Sequence, residues 1–260
     1  MPAIPIASLV AAAASAKQNR PLLAVFCLMA GSLLVLFLLP PIPQDQAYHD
    51  FADARTILGI PNFWNVISNI PFAAVGAAGL AQCRRDAATT VIFGSIFLVA
   101  FGSSYYHLWP SDETLFWDRL PMALAFMAVF AGTIEERVSA KAGAVLLWPL
   151  LAIALISLLV WRWSGDLRLY GWVQFFTLVT VPLIFLLLPP KYTGTRYWIA
   201  AAALYLLAKL LEYFDAAVYS FLHVVSGHTL KHLAAAAACW AILRYFQTRQ
   251  LIAYEKIRAM

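Results

Sequence analysis

Apolar residues in this chain form long uninterrupted stretches and do not alternate with polar residues. A helix needs about 20 apolar residues to cross the hydrocarbon core of a bilayer. Eight stretches approach or exceed that length: 22–40, 62–82, 88–108, 114–134, 142–162, 169–188, 197–222 and 227–247. The connections between them are short and polar, and several contain Pro or Gly. This pattern predicts an all-α integral membrane protein with eight transmembrane helices.

Composition supports this class. Of the 260 residues, 63% are hydrophobic and 12% are charged, whereas soluble proteins carry about 25% charged residues. No linker, repeat or low-complexity segment divides the chain. We therefore predict a cytoplasmic N-terminal segment (1–21), a single transmembrane helical domain (22–247) and a cytoplasmic tail (248–260). Residues 1–16 lack the basic region of a signal peptide, so 22–40 is predicted to remain as an uncleaved helix.

Lysine and arginine predict the orientation, because cytoplasmic loops are enriched in them. With the N-terminus inside, twelve fall on the cytoplasmic side and three outside. The twelve are Lys17, Arg20, Arg84, Arg85, Arg137, Lys141, Lys191, Arg196, Arg244, Arg249, Lys256 and Arg258; the three are Arg55, Arg162 and Arg168. Both termini are thus predicted to be cytoplasmic. The net charge of +5 reflects topology and gives no sign of nucleic-acid binding.

Five polar residues lie in these apolar stretches at the spacing of a metal site. His107 closes the third stretch, with Ser103 one turn earlier, and Asp118 lies near the start of the fourth. His228 and His232 open the eighth, four residues apart, so both rings project from one helix face. Neutral imidazole is a good zinc ligand, and ionisable groups inside a membrane span usually have a function.

The predicted topology brings these five residues together. All lie on the outer side, about one or two turns, or 5–10 Å, below the membrane boundary. Each alone has an ordinary explanation, such as an interfacial histidine, a serine bonded to its own helix or an aspartate at a helix start. The hypothesis of a metal site therefore depends on their convergence.

Other polar residues receive structural predictions. His49 and His223 fall in outer loops and are predicted to be solvated, with His223 as a reserve ligand. Lys209 and Glu212, three apart, are predicted to form a structural ion pair. Asp215 lies nearer the outer end of the same stretch and could orient a histidine.

Four motifs in order resemble the alkaline ceramidase family, part of a superfamily of seven-helix membrane hydrolases that includes the adiponectin-receptor-like proteins. They are F-W-N-V-I-S-N (63–69), S-S-Y-Y-H (103–107), F-W-D-R-L-P-M (116–122) and S-G-H-T-L-K-H-L (226–233). The resemblance implies a seven-helix bundle with an intramembrane zinc that cleaves the amide of ceramide into a sphingoid base and a fatty acid. It maps the zinc ligands onto His107, His228 and His232, the family's aspartate onto Asp118 and its serine onto Ser103.

The chain departs from this pattern in three places. The stretch at 22–40 is an additional N-terminal transmembrane helix, which makes seven plus one. Arg119 follows the motif aspartate, where the family often has an acidic residue. The resemblance also implies calcium bound by an acidic cluster before the first family helix, and the nearest matches here are Asp50, Asp53 and Asn62, a sparser set.

The predicted function is a zinc-dependent amide hydrolase acting on ceramide-like N-acyl lipids from the bilayer. Asp118 would take a proton from the attacking water and pass it to the leaving amine. Ser103 would donate to the developing oxyanion or orient the water. Two alternatives stay open: a zinc lipid hydrolase with a non-sphingolipid substrate, and a receptor-like protein whose structural zinc takes Asp118 as its fourth ligand.

Overall fold

The computed structural model describes residues 6–83 and 86–252, and side chains from residue 20 onwards. Within these ranges the regular structure is helical, with isolated β-bridges only. The α-helices are α1 (Ile6–Leu38), α2 (Phe63–Ile67), α3 (Ile70–Gln82), α4 (Ala87–Leu108), α5 (Asp112–Arg137), α6 (Ala140–Ser164), α7 (Arg168–Leu187), α8 (Thr195–Tyr213), α9 (Asp215–Leu222) and α10 (Gly227–Thr248). A 3₁₀ turn at Gln46–His49 lies between α1 and α2. The predicted all-α class is confirmed.

Six segments of the described chain are long and apolar enough to cross a membrane. They are Arg20–Leu38, Phe63–Gln82, Ala87–Leu108, Asp112–Arg137, Ala140–Ser164 and Arg168–Leu187. The chain is therefore a multi-pass membrane protein.

The count of eight spans is not confirmed, because the last two predicted spans do not qualify. The stretch 197–222 is interrupted at Phe214, where α8 ends and α9 begins. α8 also carries Lys209 and Glu212 in its last turns, and two histidines with a lysine occupy the first turns of α10. Both helices nevertheless pack in the bundle, since α10 lies against α8 and α3.

α5 is the centre of the bundle and contacts α4, α6 and α7. Its side chains at Leu115, Met127, Phe130 and Ile134 are fully buried. α1 begins at Ile6, well before the predicted start at residue 22, and lies at the edge of the bundle. It contacts α7, where the Trp172 indole donates to Ser32 Oγ at 2.9 Å. Burial of these apolar surfaces against one another holds the helices that form the site.

Candidate metal centre

Three histidines meet at one end of the bundle. His107 lies in the last turn of α4, and His228 and His232 lie in the first two turns of α10; their exposed fractions are 0%, 4% and 4%. One nitrogen from each lies within 4.8 Å of the others, and His107 Nε2 is 3.2 Å from His232 Nε2. Tetrahedral zinc with bonds of about 2.0–2.1 Å separates its nitrogen ligands by about 3.3 Å. The spacing therefore suits one metal ion.

Two of these imidazoles have nitrogens that the protein leaves without a partner. His107 Nδ1 and His228 Nε2 are buried, and neither has a hydrogen-bond partner among the described residues. Leaving a buried polar atom unpaired costs about 1–3 kcal/mol. A metal ion bound by the three histidines would satisfy His228 Nε2.

Ser68 orients the third histidine, His232. Its hydroxyl donates to the Asn65 carbonyl at 3.1 Å and must therefore accept from His232 Nδ1, which lies 2.8 Å away. With the proton on Nδ1, His232 Nε2 carries the free lone pair and faces His107. A hydrogen bond of this kind commonly fixes the tautomer and ring position of a metal-binding histidine.

A break in the second span places Ser68 there. α2 ends at Ile67 and α3 begins at Ile70, and Asn65 in α2 accepts from Thr229 Oγ1 at 2.7 Å. This bond ties α2 to the first turn of α10. The short polar turn between the two helices thus faces the histidines.

The first turn of α10 is held from α9 as well. Asp215 Oδ1 accepts from the His228 backbone N–H at 2.6 Å, so Asp215 positions the main chain of this histidine and not its imidazole. Gly227 makes this approach possible, because a Cβ there would lie 2.2 Å from the Leu211 carbonyl oxygen. The break at Phe214 that divides the predicted span 197–222 brings Asp215 into this position.

Asp118 and Ser103 form a pair at the same end of the bundle as the histidines. Both are buried, with exposed fractions of 8% and 3%, and their side chains are hydrogen-bonded. They meet because α4 and α5 touch at Gly102, where a Cβ would lie 2.1 Å from the Trp117 carbonyl oxygen. Asp118 does not belong to the metal-ligating cluster, which among the described residues contains the three histidines alone. The geometry therefore gives no support to Asp118 as a fourth ligand.

A buried ion network surrounds this end of the bundle. Glu212 contacts Lys231 at 2.8 Å, pairs with Lys209 and accepts from the Tyr48 hydroxyl at 3.0 Å. The predicted pair of Lys209 and Glu212 is confirmed. Lys231, which stands between the two histidines of α10, also lies within electrostatic reach of Asp118. Sequence reasoning gave Lys231 no role, although its place inside an H-x-x-x-H motif was a usable signal.

Sequence comparison assigns the family. The model of the ceramidase family matches residues 56–248, about three quarters of the chain. The chain belongs to the ceramidase family. Compared with individual curated proteins, it gives no significant match. Members of the family hydrolyse amide C–N bonds, so this ceramidase is a hydrolase with a lipid substrate.

The loop before α2 packs against the histidine cluster. The Phe51 ring lies 4.7 Å from the His107 ring and 4.8 Å from the His228 ring, measured between centroids. Asn62 Nδ2 donates to the His107 carbonyl at 2.8 Å and so caps the end of α4. No pattern in the sequence pointed to Phe51, because its contacts come only from the path of this loop.

The residues matched to a calcium site do not fit one. Arg55 Nε and Nη2 each donate at 2.7 Å to a different oxygen of Asp53, and this hydrogen-bonded pair lowers the pKa of Asp53. Calcium needs six to eight oxygen ligands, yet the Asp53 oxygens face a cation and Asn62 points an N–H group at His107. Asp50 is exposed. The described geometry therefore gives no support to a calcium site at these three residues.

The two loop histidines differ from each other. His49, predicted to be solvated, is half-buried: its Nδ1 lies 2.9 Å from the Tyr106 hydroxyl and its Nε2 lies 3.1 Å from Asp112 Oδ1. That prediction was wrong because the 3₁₀ turn packs His49 against α4 and α5. His223 is exposed at the end of α9, in a left-handed conformation with φ of 57°, and does not join the cluster.

Proposed function

We propose that this ceramidase is a zinc-dependent intramembrane hydrolase of ceramide-like N-acyl lipids, with His107, His228 and His232 as the zinc ligands. The observation that carries the proposal is the meeting of three buried imidazoles at one-ion spacing. Nitrogen ligands favour zinc over magnesium and calcium, which prefer oxygen. Three protein ligands leave the fourth tetrahedral position free, as in catalytic zinc sites.

The chemistry that zinc supplies in such a site is Lewis acidity, which lowers the pKa of a water molecule to about 7. Asp118 lies at the same end of the bundle as the histidines, within electrostatic reach of Lys231, and would accept the proton of the attacking water. It then delivers that proton to the amide nitrogen as the C–N bond breaks. The new C–O bond belongs to the fatty acid, and the nitrogen leaves on the long-chain amine.

Ser103 acts through the same carboxylate. Its hydrogen bond to Asp118 holds the carboxylate in place, and rotation of the hydroxyl would let it donate to the oxyanion that develops on the attacked carbonyl. The burial of both side chains keeps them away from bulk water, where their electrostatic effect would be weaker.

We infer that the histidine end faces away from the cytoplasm and that both termini lie in the cytoplasm, with 1–21 and 248–260 flanking the transmembrane domain. The support is the excess of Lys and Arg at the other end. Cysteines placed at Glu113 and Lys141, both exposed at opposite ends of the bundle, test this. A membrane-impermeant thiol reagent outside intact cells should label the first only, and the reverse pattern would invert the topology.

The functional test uses purified full-length protein. Metal analysis should give about one zinc per chain, and N-palmitoylsphingosine should yield palmitate and sphingosine. N-palmitoylethanolamine, a long-chain amide without the sphingoid base, serves as the comparison substrate. Cleavage of that lipid alone would retain the zinc amidase and reject the ceramide-like substrate. Zinc without hydrolysis of either amide would reject the proposal.

A further inference from the structure

Arg119 is a buried cation with one guanidinium nitrogen that no described residue accepts from. It follows Asp118 on α5, is 6% exposed, and its Nη1 has no hydrogen-bond partner in the described part of the chain. The guanidinium carbon lies 4.5 Å from the Trp161 ring centroid, 4.9 Å from that of Tyr170 and 5.5 Å from that of Tyr48. Aromatic rings stabilise a cation, but they accept no in-plane N–H hydrogen bond from this group.

The carboxylates near Arg119 already interact with other side chains. Glu212 contacts both Lys209 and Lys231. Asp118, although within electrostatic reach of Arg119, is hydrogen-bonded to Ser103. Arg119, Lys209 and Lys231 therefore lie near carboxylates that are already hydrogen-bonded, and a bound metal ion would add further positive charge.

Arg137 shows how this protein satisfies a buried arginine that has a structural role. It is 8% exposed and lies over the Phe185 ring at 4.1 Å, much as Arg119 lies over its rings. Unlike Arg119, it donates to Glu136, to the Leu188 carbonyl and to Thr195. The described chain thus supplies acceptors to the guanidinium of Arg137 and none to Nη1 of Arg119, the residue that follows the proposed general base.

We propose that Arg119 binds an oxyanion of the lipid that occupies the site. A guanidinium matches a carboxylate or a phosphate with two parallel hydrogen bonds. The oxyanion has two possible sources: the carboxylate of the released fatty acid, or an acidic group on the head of the N-acyl lipid. This inference rests on the proposed function and adds the recognition of an anion to it.

Direct binding tests the first source. Tritiated palmitate is titrated against the zinc-bearing parent, Arg119→Met and Arg162→Met, with hexadecanol as the uncharged probe. Arg162 is an exposed arginine at the same end of the bundle, so its loss controls for net charge. Loss of hydrogen bonds to a charged group should weaken palmitate binding about 10–100-fold in Arg119→Met. Arg162→Met and the affinity for hexadecanol should not change.

Two substrates test the second source. If Arg119 binds a head group, the parent should hydrolyse N-palmitoylsphingosine 1-phosphate with a lower KM than N-palmitoylsphingosine, and Arg119→Met should lose that preference while binding palmitate normally. Arg119→Gln replaces Arg119→Met if the latter is not monodisperse. Parent-like palmitate binding and parent-like head-group preference in the variant would overturn the proposal and leave water as the partner of Nη1.

The binding arm separates this inference from the proposed function. Palmitate binding requires no turnover. A parent that hydrolyses no amide lipid, yet binds palmitate in a manner dependent on Arg119, would reject the proposed function and support the anion site.

Discussion

Where α5 ends and α6 begins, Glu136 accepts hydrogen bonds from Arg137 Nε at 3.1 Å, from Arg249 Nη1 at 2.8 Å and from the Tyr245 hydroxyl. At the opposite end of the same bundle, His228 Nε2 and Arg119 Nη1 are buried without a hydrogen-bond partner in the described part of the chain. Both ends bury charged or polar side chains among apolar helices. They differ in whether the protein itself supplies the partners.

This difference distinguishes polar groups that are buried for a structural role from polar groups that are buried for a functional one. A buried polar group is tolerated when it is hydrogen-bonded and is costly when it is not. At the Glu136 end the described buried atom without a partner is the neutral Trp198 Nε1, and Glu136 forms ion pairs with Arg137 and Arg249. At the histidine end, the described residues offer no hydrogen-bond partner to His228 Nε2, a nitrogen that can bind a metal, and no acceptor to Arg119 Nη1, a donor that can bind an anion. A ligand that completes them accounts for that arrangement.

Asp118→Asn should have the largest catalytic effect that leaves the metal in place. The change is nearly isosteric and removes the proton acceptor, so turnover should fall about 10²–10⁴-fold with zinc retained. Glu113→Gln, an exposed acid at the start of α5, is the control and should keep parent turnover. Loss of zinc from Asp118→Asn would instead favour Asp118 as a structural ligand.

Ser103→Ala should be milder. It removes one hydrogen bond to Asp118 and one possible oxyanion donor, so kcat should fall at most about 10²–10³-fold. Ser95→Ala, buried two turns earlier on α4, should leave kcat unchanged. Equal kcat values in the two variants would remove Ser103 from the mechanism.

The meeting of the three histidines could be predicted from the sequence because they follow helical spacing and lie at helix ends. The H-x-x-x-H pair and the position of His107 at the end of its helix were sufficient to predict it. Ser68 and Phe51 were not, since their contacts arise from the break between α2 and α3 and from the path of a loop. The break at Phe214 was hidden for a related reason: apolar residues continue through 197–222 and conceal the change of helix axis.

Ser68→Ala tests the histidine end of the bundle by its effect on zinc affinity. Without the acceptor for Nδ1–H, His232 loses its fixed tautomer, and zinc affinity should fall about 10–100-fold. Competition with a chelator measures this. Ser157→Ala, which removes a buried hydroxyl bonded to its own helix at Ala154, should leave zinc affinity unchanged. A Ser68→Ala protein with parent affinity would show that Ser68 does not orient the ligand.

The smallest expected effect concerns pH and the Asp53–Arg55 pair. Because Arg55 lowers the pKa of Asp53 in the folded protein, the pair stabilises the fold above the unfolded pKa of about 3.9. That contribution is lost as the pH falls through the lower, folded value. The Tm difference between the parent and Asp53→Asn should thus be present at pH 6 and shrink below about pH 4. Calcium and EGTA should leave the parent's Tm unchanged, and a calcium-dependent Tm would contradict our assignment of the pair.

The most direct test of the difference between the two ends of the bundle is zinc content, measured together with ceramide hydrolysis. Four preparations are needed: the parent, His107→Ala, His232→Ala and Glu136→Gln. We predict about one zinc per chain and full hydrolysis in the parent, and loss of both in each histidine variant. Glu136→Gln, at the opposite end, should keep zinc and hydrolysis even if its Tm falls. Full zinc occupancy in either histidine variant, or loss of zinc from Glu136→Gln alone, would contradict the account.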